Sequence, residues 1–428
     1  MILPNPLWRS VAVLGVAGLV LTACGDDGGT TTEPKADDTA ATSEAPDAGA
    51  KGDGTLKLGT LLPQTGSLAF LGPPEFAGVD LALKDINDAG GVNGKQVEKV
   101  DSDSGDTATD TASQSVDRLL SQDVDAIIGA ASSSVSLSVI DKITGAGVLQ
   151  ISPANTSIEL TNYDDKGLYF RTAPPDTLQG RVLSDQILAD GNATVGILAL
   201  QDSYGTGLAD AVEKSVTSSG GEVVEKVVYD PKAASFSTEV GKIKAADPEA
   251  IAVIAFEETK KIVPELVKQG IGPDTKKIYF VDGNLADYSK DFDKGTLAGV
   301  KGTLPGVAST EEFKARLAEV APDLADFNYA PESYDATILV ALAAQAAGDD
   351  SGESIASKMQ EVSAGGEKCT SFKDCLALLE EDKDIDYDGI AGPVEFNEKG
   401  DPSEATIGLY EYGADNNYTF VEAKEGKI

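Results

Sequence analysis

Histidine is absent from all 428 residues of this chain. That absence removes Ser-His-Asp and Cys-His catalysis, and with them the commonest metal ligand. Positive charge is scarce as well: 34 Lys+Arg stand against 71 Asp+Glu, a formal net charge of -37. So acidic a chain excludes nucleic acid as a partner, and it excludes electrostatic attraction to an anionic membrane surface. It fits a solvated coat that keeps a monomer soluble. Cysteine occurs three times, at Cys24, Cys369 and Cys375. The apolar run from Val11 to Leu21 is too short to cross a bilayer. The remaining composition is that of a globular protein, 41% hydrophobic and 25% charged, and the length suggests two domains with additions.

The first 24 residues read as a secretion signal. Arg9 supplies the positive start, and the apolar run ends in Leu21-Thr22-Ala23-Cys24. That tetrapeptide resembles the bacterial lipobox, in which cleavage before the cysteine leaves a diacylglyceryl-modified N-terminus. Cys24 is thus the expected lipidation site, and two or more acyl chains suffice for a durable membrane anchor. Residues 25–54 hold Gly, Thr, Ala, Asp, Pro and Ser with no large apolar side chain, so they cannot bury a core and read as a disordered tether.

From Thr55 the chain alternates strands and helices. Leu56, Leu58, Thr60 and Leu62 alternate as a strand, and Phe76, Val79, Leu83 and Ile86 recur at helical spacing. The rhythm continues to about residue 300, and two doubly wound α/β lobes are its natural product. After residue 300 the pattern turns helical, at 311–320, 333–347 and 354–362. Two strands are expected to follow, at 393–396 and 407–412. Five residues separate Cys369 from Cys375; in an exported protein that pair reads as a disulfide closing a small loop.

Val124 to Thr161 organises the rest. The apolar run Ala126–Gly129 reads as a buried parallel strand that ends in Ser132, Ser133 and Ser134. The strand Val148–Ile151 ends in Ser152-Pro153-Ala154-Asn155-Thr156. Two neighbouring strands would therefore bring hydroxyls and free N–H groups to one sheet edge, where open α/β sheets bind ligands and helix N-termini favour a carboxylate. Catalytic signatures are missing. Asp202-Ser203-Tyr204-Gly205 lacks the glycine of a nucleophile elbow, and Gly205-Thr206-Gly207 lacks the third glycine of a dinucleotide fingerprint. Asp101, Asp103 and Asp106 do not follow a calcium loop. No enzyme activity, cofactor or metal is expected.

Residues Leu56 to about Ala423 resemble the solute-binding proteins of branched-chain amino acid ABC transporters, the leucine/isoleucine/valine-binding family. The likeness rests on Pro63-Gln64-Thr65-Gly66, on Ile86-Asn87-Asp88-Ala89-Gly90-Gly91-Val92-Asn93-Gly94, on Ile128-Gly129 with the serine cluster, and on Ser152-Pro153-Ala154. It continues through Asp202-Ser203-Tyr204-Gly205, Tyr334-Asp335-Ala336, Gly392-Pro393-Val394-Glu395-Phe396 and Lys399-Gly400-Asp401. The resemblance implies a type 1 periplasmic-binding-protein fold: two Rossmann-like lobes joined by a three-crossover hinge and closing like a clamshell. Lobe 1 would comprise 55–173 plus 301–389, and lobe 2 would comprise 174–300 plus 390–428. Carried over by position, Ser133, beside Ser132, would hold a ligand carboxylate with its hydroxyl and N–H. The Ala154 carbonyl and Thr156 hydroxyl would meet an α-ammonium, with the Thr156 N–H helping at the carboxylate. Tyr204 would cover the ligand, and Asp282 would oppose the ammonium. Phe70 or Leu71, and Phe256 or Glu257, would line the side-chain pocket. Asn155 replaces a commoner small residue, and Glu257 stands where an acid would disfavour a purely aliphatic ligand. The implied role is a lipid-anchored, extracytoplasmic receptor on the outer face of the cytoplasmic membrane that delivers an amino acid to ABC permease subunits. The alternative is a sensor of the same fold that binds an amide, urea or amino acid and regulates a partner.

Overall fold

The computed structural model describes residues 52–428, so Cys24 and the leader lie outside the described residues. In chain order the elements are β1 (Lys57–Leu62), α1 (Gly72–Asp88), β2 (Glu98–Asp103), α2 (Thr111–Leu120), β3 (Ala126–Gly129), α3 (Ser133–Gly145), β4 (Leu149–Ser152) and β5 (Tyr169–Arg171). Next come α4 (Asp176–Ala189), β6 (Thr194–Leu200), α5 (Ser203–Ser218), β7 (Glu222–Tyr229), α6 (Ser237–Ala246), β8 (Ala250–Ile254), α7 (Thr259–Gln269), β9 (Lys277–Phe280) and β10 (Lys301–Pro305). The chain ends with α8 (Glu311–Leu317), α9 (Ala330–Ala347), α10 (Gly352–Ala356), α11 (Met359–Ser363), β11 (Glu367–Cys369), α12 (Phe372–Leu379), β12 (Ile385–Tyr387), β13 (Glu404–Tyr412) and β14 (Tyr418–Lys427).

Two large sheets result. The first has the order β2-β1-β3-β4-β5, parallel throughout; the second runs β14-β13-β10-β9-β8-β6-β7, with β13 and β14 antiparallel at one edge. The central strands β3 (Ala-Ile-Ile-Gly) and β8 (Ala-Ile-Ala-Val-Ile) are buried along their whole length, as strands covered by helices on both faces must be. Each sheet has its own core, around Ile128, Ile151 and Ile338 in the first lobe and around Ile197, Val253 and Phe280 in the second. Among the described residues no helix is long and apolar enough to cross a membrane.

The chain passes between sheets three times: between β5 and α4, after β10, and just before β13. The second and third passages correct the lobe boundaries expected at 300/301 and 389/390. Lys301–Pro305 pairs with β9 and β13, which places it in the second sheet. Val394 and Phe396 pack in the first core, with Phe396 edge-on to Phe170 at 5.2 Å between ring centroids. Two smaller expectations also change. Residues 393–396 form isolated bridges to Asp388 and Pro402 instead of a strand, and 354–362 divides into α10 and α11. Cys369 and Cys375 are disulfide-bonded.

Helix α9 is buried almost all round and crosses the first lobe against α1. The two helices meet at Gly78, where a Cβ would come within 2.3 Å of the Ala330 carbonyl oxygen. Beside that contact lies an acidic pair. Both oxygens of the Glu75 carboxylate are buried without a hydrogen-bond partner, and Glu332 is buried close to it. Burial pushes Glu332 up to about 8, with the Asp335 charge adding to it, and it also raises Glu75, helped by the charge of Glu332.

A second buried charge is well paired. Arg171, at the end of β5, is fully buried, and its Nε donates to Asp401 Oδ1 at 2.6 Å. Its remaining N–H groups donate to the Asn155 and Ser157 carbonyls and to Thr161 Oγ1, while Thr161 donates to Asp401 Oδ2. The loop after β4 and the segment before β13 are thereby locked to one guanidinium. At the far edge β14 is exposed, carrying Phe420 and Val421 at the surface and a Lys424–Glu422 pair, with a register shift against β13 at Leu409/Tyr410.

Two outcomes follow from these acids. Asp401→Asn leaves Arg171 buried with half its partner, and should cost about 3–5 kcal/mol in chemical denaturation; a loss below about 1 kcal/mol would show the pair to be dispensable. Folded Glu332 keeps its proton to about pH 8, whereas the unfolded chain releases it near about pH 4.3, so between these values the folded state binds the extra proton and stability falls as pH rises. Glu332→Gln should therefore gain melting temperature relative to the parent as pH increases through that window. Parallel melting curves for the two proteins would refute it.

Candidate functional site

The carboxyl ends of both sheets face one another across the seam between lobes. Gly129, with φ +126, ends β3: a Cβ there would come within 2.1 Å of the Leu61 carbonyl oxygen, so only glycine lets the strand close on β1 before the serine turn. Ser132 then caps α3, its Oγ accepting from the Val135 N–H. The N–H groups of Ser133 and Ser134 belong to the first helical turn and have no intrahelical acceptor, so they are free for an anion.

Ser133 sits at the centre of the first-lobe half. Its Oγ accepts the N–H groups of both Thr156 and Ser157 at 3.2 Å, which leaves its own proton to donate. This corrects the expectation that the Thr156 N–H serves a ligand, because Ser133 already holds it. The Thr156 Oγ1 is buried without a partner, and no described hydrogen bond ends on the buried Ala154 carbonyl. Asn155 does not fit the binding role expected of it. Its Nδ2 donates to the Ala130 and Ala131 carbonyls and its Oδ1 accepts from Tyr169 Oη, so its side chain is spent on joining the β3 and β4 ends.

The second lobe supplies Tyr204 and Asp282, and three residues that the sequence did not single out join them: Gln179 and Asp176 of α4, and Tyr329 from just before α9. Asp282 is buried, and Tyr204 Oη and Gln179 Nε2 donate to its Oδ1 at 2.7 and 2.8 Å; Tyr329 Oη donates to Oδ2 at 2.7 Å. Burial raises its carboxyl, and these donors pull it back. Asp282 is therefore already satisfied by three donors. The bare acid is Asp176, the first residue of α4. Its backbone N–H donates to the Thr156 carbonyl at 2.7 Å, but neither carboxylate oxygen has a partner and both are buried. Burial pushes it well above the usual carboxylate range; the neighbouring Thr156 hydroxyl opposes that shift and the charge of Asp282 adds to it. Gln179 Oε1 is likewise unpartnered.

Asp176 carries no distinguishing mark in the sequence, because an acid in the first turn of a helix ordinarily serves the helix dipole. The signal that marks it is its place straight after Pro174-Pro175, where the chain enters the second lobe. Tyr329 was invisible for another reason: it occupies a left-handed conformation (φ 60) just before α9, and nothing local announces its reach to Asp282.

Hydrogen bonds also cross the seam. Ser134 Oγ donates to Asp202 Oδ2 at 3.1 Å and accepts from the Ser203 N–H at 3.1 Å, and Ser157 Oγ donates to the Ser203 carbonyl at 3.3 Å. Tyr204 stacks on Phe256, ring centroids 5.4 Å apart. Beside this buried layer lies a cavity of about 430 Å³ lined from both lobes, with Ser132, Asp202, Phe256 and Glu257 on its wall. Phe70 lines an adjoining smaller space with Phe256 and Glu257. Leu71 is buried in the lobe core and lines neither. Ser133, Thr156 and Asp282 are buried and are not among the residues that line the larger cavity. Among the described residues no group of three His, Cys, Asp or Glu is arranged to hold a metal ion.

The family model for periplasmic binding proteins matches residues 55–374. Leu/Ile/Val-binding protein homolog 1 of Brucella suis is 28% identical over 382 residues, spanning 85% of this chain and 93% of its own length. The chemotactic signal transduction system substrate-binding protein BasB of Halobacterium salinarum is 26% identical over 363 residues, spanning 81% of this chain and 84% of its own. The branched-chain amino acid transporter substrate binding protein LivJ of Streptococcus pneumoniae, solved with isoleucine, has the same fold: TM-score 0.71 at 23% identity, over 87% of this chain and 100% of that one. These relatives are solute-binding proteins, not enzymes. With two parallel-sheet lobes, three passages between them and a polar seam at their carboxyl ends, the chain belongs to the periplasmic binding protein family and has its type 1 fold.

Proposed function

We propose that the protein captures a free amino acid between its lobes and, as a lipid-anchored monomer outside the cytoplasmic membrane, hands it to the permease of an ABC transporter. One observation carries the reading. Both oxygens of Asp176 and Gln179 Oε1 are buried acceptors without a close donor, gathered with the neighbouring Thr156 hydroxyl next to Asp282 at the seam. Buried acceptors left bare are costly, and an ammonium group satisfies several at once. On the opposite side, the free N–H groups of Ser133 and Ser134 and the Ser133 hydroxyl suit a carboxylate at a helix N-terminus. An anion site and a cation site joined by the Ser133–Thr156 contact match the two ends of a zwitterion.

Closure follows from the same geometry. A ligand held by Ser133 and Thr156 from one lobe, and by Asp176 and Tyr204 from the other, stabilises only the shut arrangement, and it shifts the equilibrium by its difference in affinity for the two states. The Ser134–Asp202–Ser203 hydrogen bonds form in that arrangement and support it. Lipid attachment at Cys24 would keep the receptor at the membrane and raise its effective concentration near a permease.

A second reading has one observation in its favour: the similarity to BasB, whose name places it in a chemotactic signal transduction system. Under it, the closed form would engage a receptor instead of a permease. The two separate on uptake: cells lacking a transport protein lose accumulation of the radiolabelled solute, whereas cells lacking a sensor keep accumulation and lose the response.

Asp176→Asn tests the cation site. It replaces a buried carboxyl that lacks donors with a neutral amide, so melting temperature should hold or rise, while affinity for the bound amino acid should fall by about 30-fold or more in calorimetry. Unchanged affinity would move the ammonium elsewhere. Ser134→Ala should leave each lobe intact and weaken closure, lowering affinity by about threefold to tenfold and raising the radius of gyration with ligand bound. An unaltered scattering profile and affinity would exclude the latch.

A further inference from the structure

The unusual part of the seam is its mouth. The 430 Å³ cavity is walled by the loops that follow β1, β2 and β3 in one lobe and β6, β7 and β8 in the other, and it adjoins the layer assigned to the zwitterion through Ser132, Asp202 and the Phe256 ring stacked on Tyr204. A ligand side chain leaving that layer enters this space. Four carboxylates line it, Asp106, Asp202, Glu257 and Glu258, and against them stands the exposed Lys232. Two of the four are committed. Asp106 Oδ1 accepts the Ala108 N–H, and Asp202 caps α5 through the Gly205 N–H while accepting from Ser134. Glu257 pairs with Lys260 at the surface, where such a pair is weakly held.

Glu258 is different. It is only 8% exposed, its Oε2 accepts the Phe256 N–H at 2.9 Å, and no described hydrogen bond or ion pair reaches its Oε1, although the residue lines the cavity. Burial raises its carboxyl; its own N–H and that of Phe256 oppose the shift, and the charges of Asp202 and Glu257 add to it. An aliphatic side chain filling the cavity would strip water from this oxygen and give nothing back. A cationic group would satisfy it and would meet the ring of Phe256 on the same wall.

The geometry points to an amino acid with a positively charged side chain, of the lysine, ornithine or arginine class, as the solute, with Glu258 as its selecting residue and Glu257 assisting. This rests on the amino-acid reading above and deepens it: the buried layer holds the zwitterion common to all amino acids, and the mouth chooses among them. The net charge of -37 works in the same direction, raising the local concentration of cationic solutes and speeding their encounter.

Calorimetry of the purified protein with L-arginine, L-lysine and L-leucine decides it. Arginine or lysine should bind at least about tenfold more tightly than leucine, and in Glu258→Gln this preference should shrink by about tenfold while leucine affinity holds or rises. Leucine binding as well as or better than the basic amino acids would overturn the selection and leave the zwitterion site standing. A preference that survives in Glu258→Gln and in Glu257→Gln/Glu258→Gln would overturn the assignment to these acids. Failure of all three amino acids to bind a protein with an intact melting transition would overturn this inference together with the amino-acid reading on which it stands.

Discussion

A single buried guanidinium fixes the geometry on which the rest depends. Arg171 reaches from the end of β5 to the carbonyls of Asn155 and Ser157 on one side and to Asp401 on the other. The loop it holds carries Thr156, and the segment it holds is the last to pass between the lobes. An unpaired charge at that depth is prohibitive, so the loop and the passage are fixed together or not at all. The position of the Thr156 hydroxyl, and of the Ser133 contact that orients it, is thus set by an ion pair with no place in the seam itself.

The protein treats its buried acids in two ways. Asp401, Asp282 and Asp335 are surrounded by donors: Asp335, for instance, accepts from Tyr387 Oη and from the Ile390 and Ala391 N–H groups. Asp176 and Glu75 are left bare. The first group is part of the scaffold. The second carries unfavourable desolvation. Under the proposed function a ligand cation relieves it at Asp176, and capture is then coupled to closure, since an open cleft admits water to the acid and a shut one requires a replacement.

Much of this architecture is legible in the residue order. Strands such as Ala126–Gly129 and Ile251–Ile254 are continuous apolar runs because both faces of a parallel sheet are covered, and the small hydroxyls that follow them stand out against such runs. The lobe boundaries were harder to see. Lys301–Pro305 contains Gly302 and Pro305, which argue against a strand, and only its pairing with β9 and β13 makes it one. Site roles depended on which way side chains turn. Asn155 sits between two residues that face the seam, yet it is consumed by backbone carbonyls, and Asp176 gains its importance from a chain reversal that local spacing does not encode.

The exposed strand β14 bears on how such a protein behaves in crowds. A seven-stranded sheet that ends in a ten-residue free margin offers a ready template for another chain's backbone. Here the margin is bent by the irregularity at Leu409/Tyr410 and studded with Glu422, Lys424, Glu425 and Lys427. Neighbouring copies, packed densely side by side, consequently meet a kinked and charged border on which fibrillar growth has no flat surface to begin.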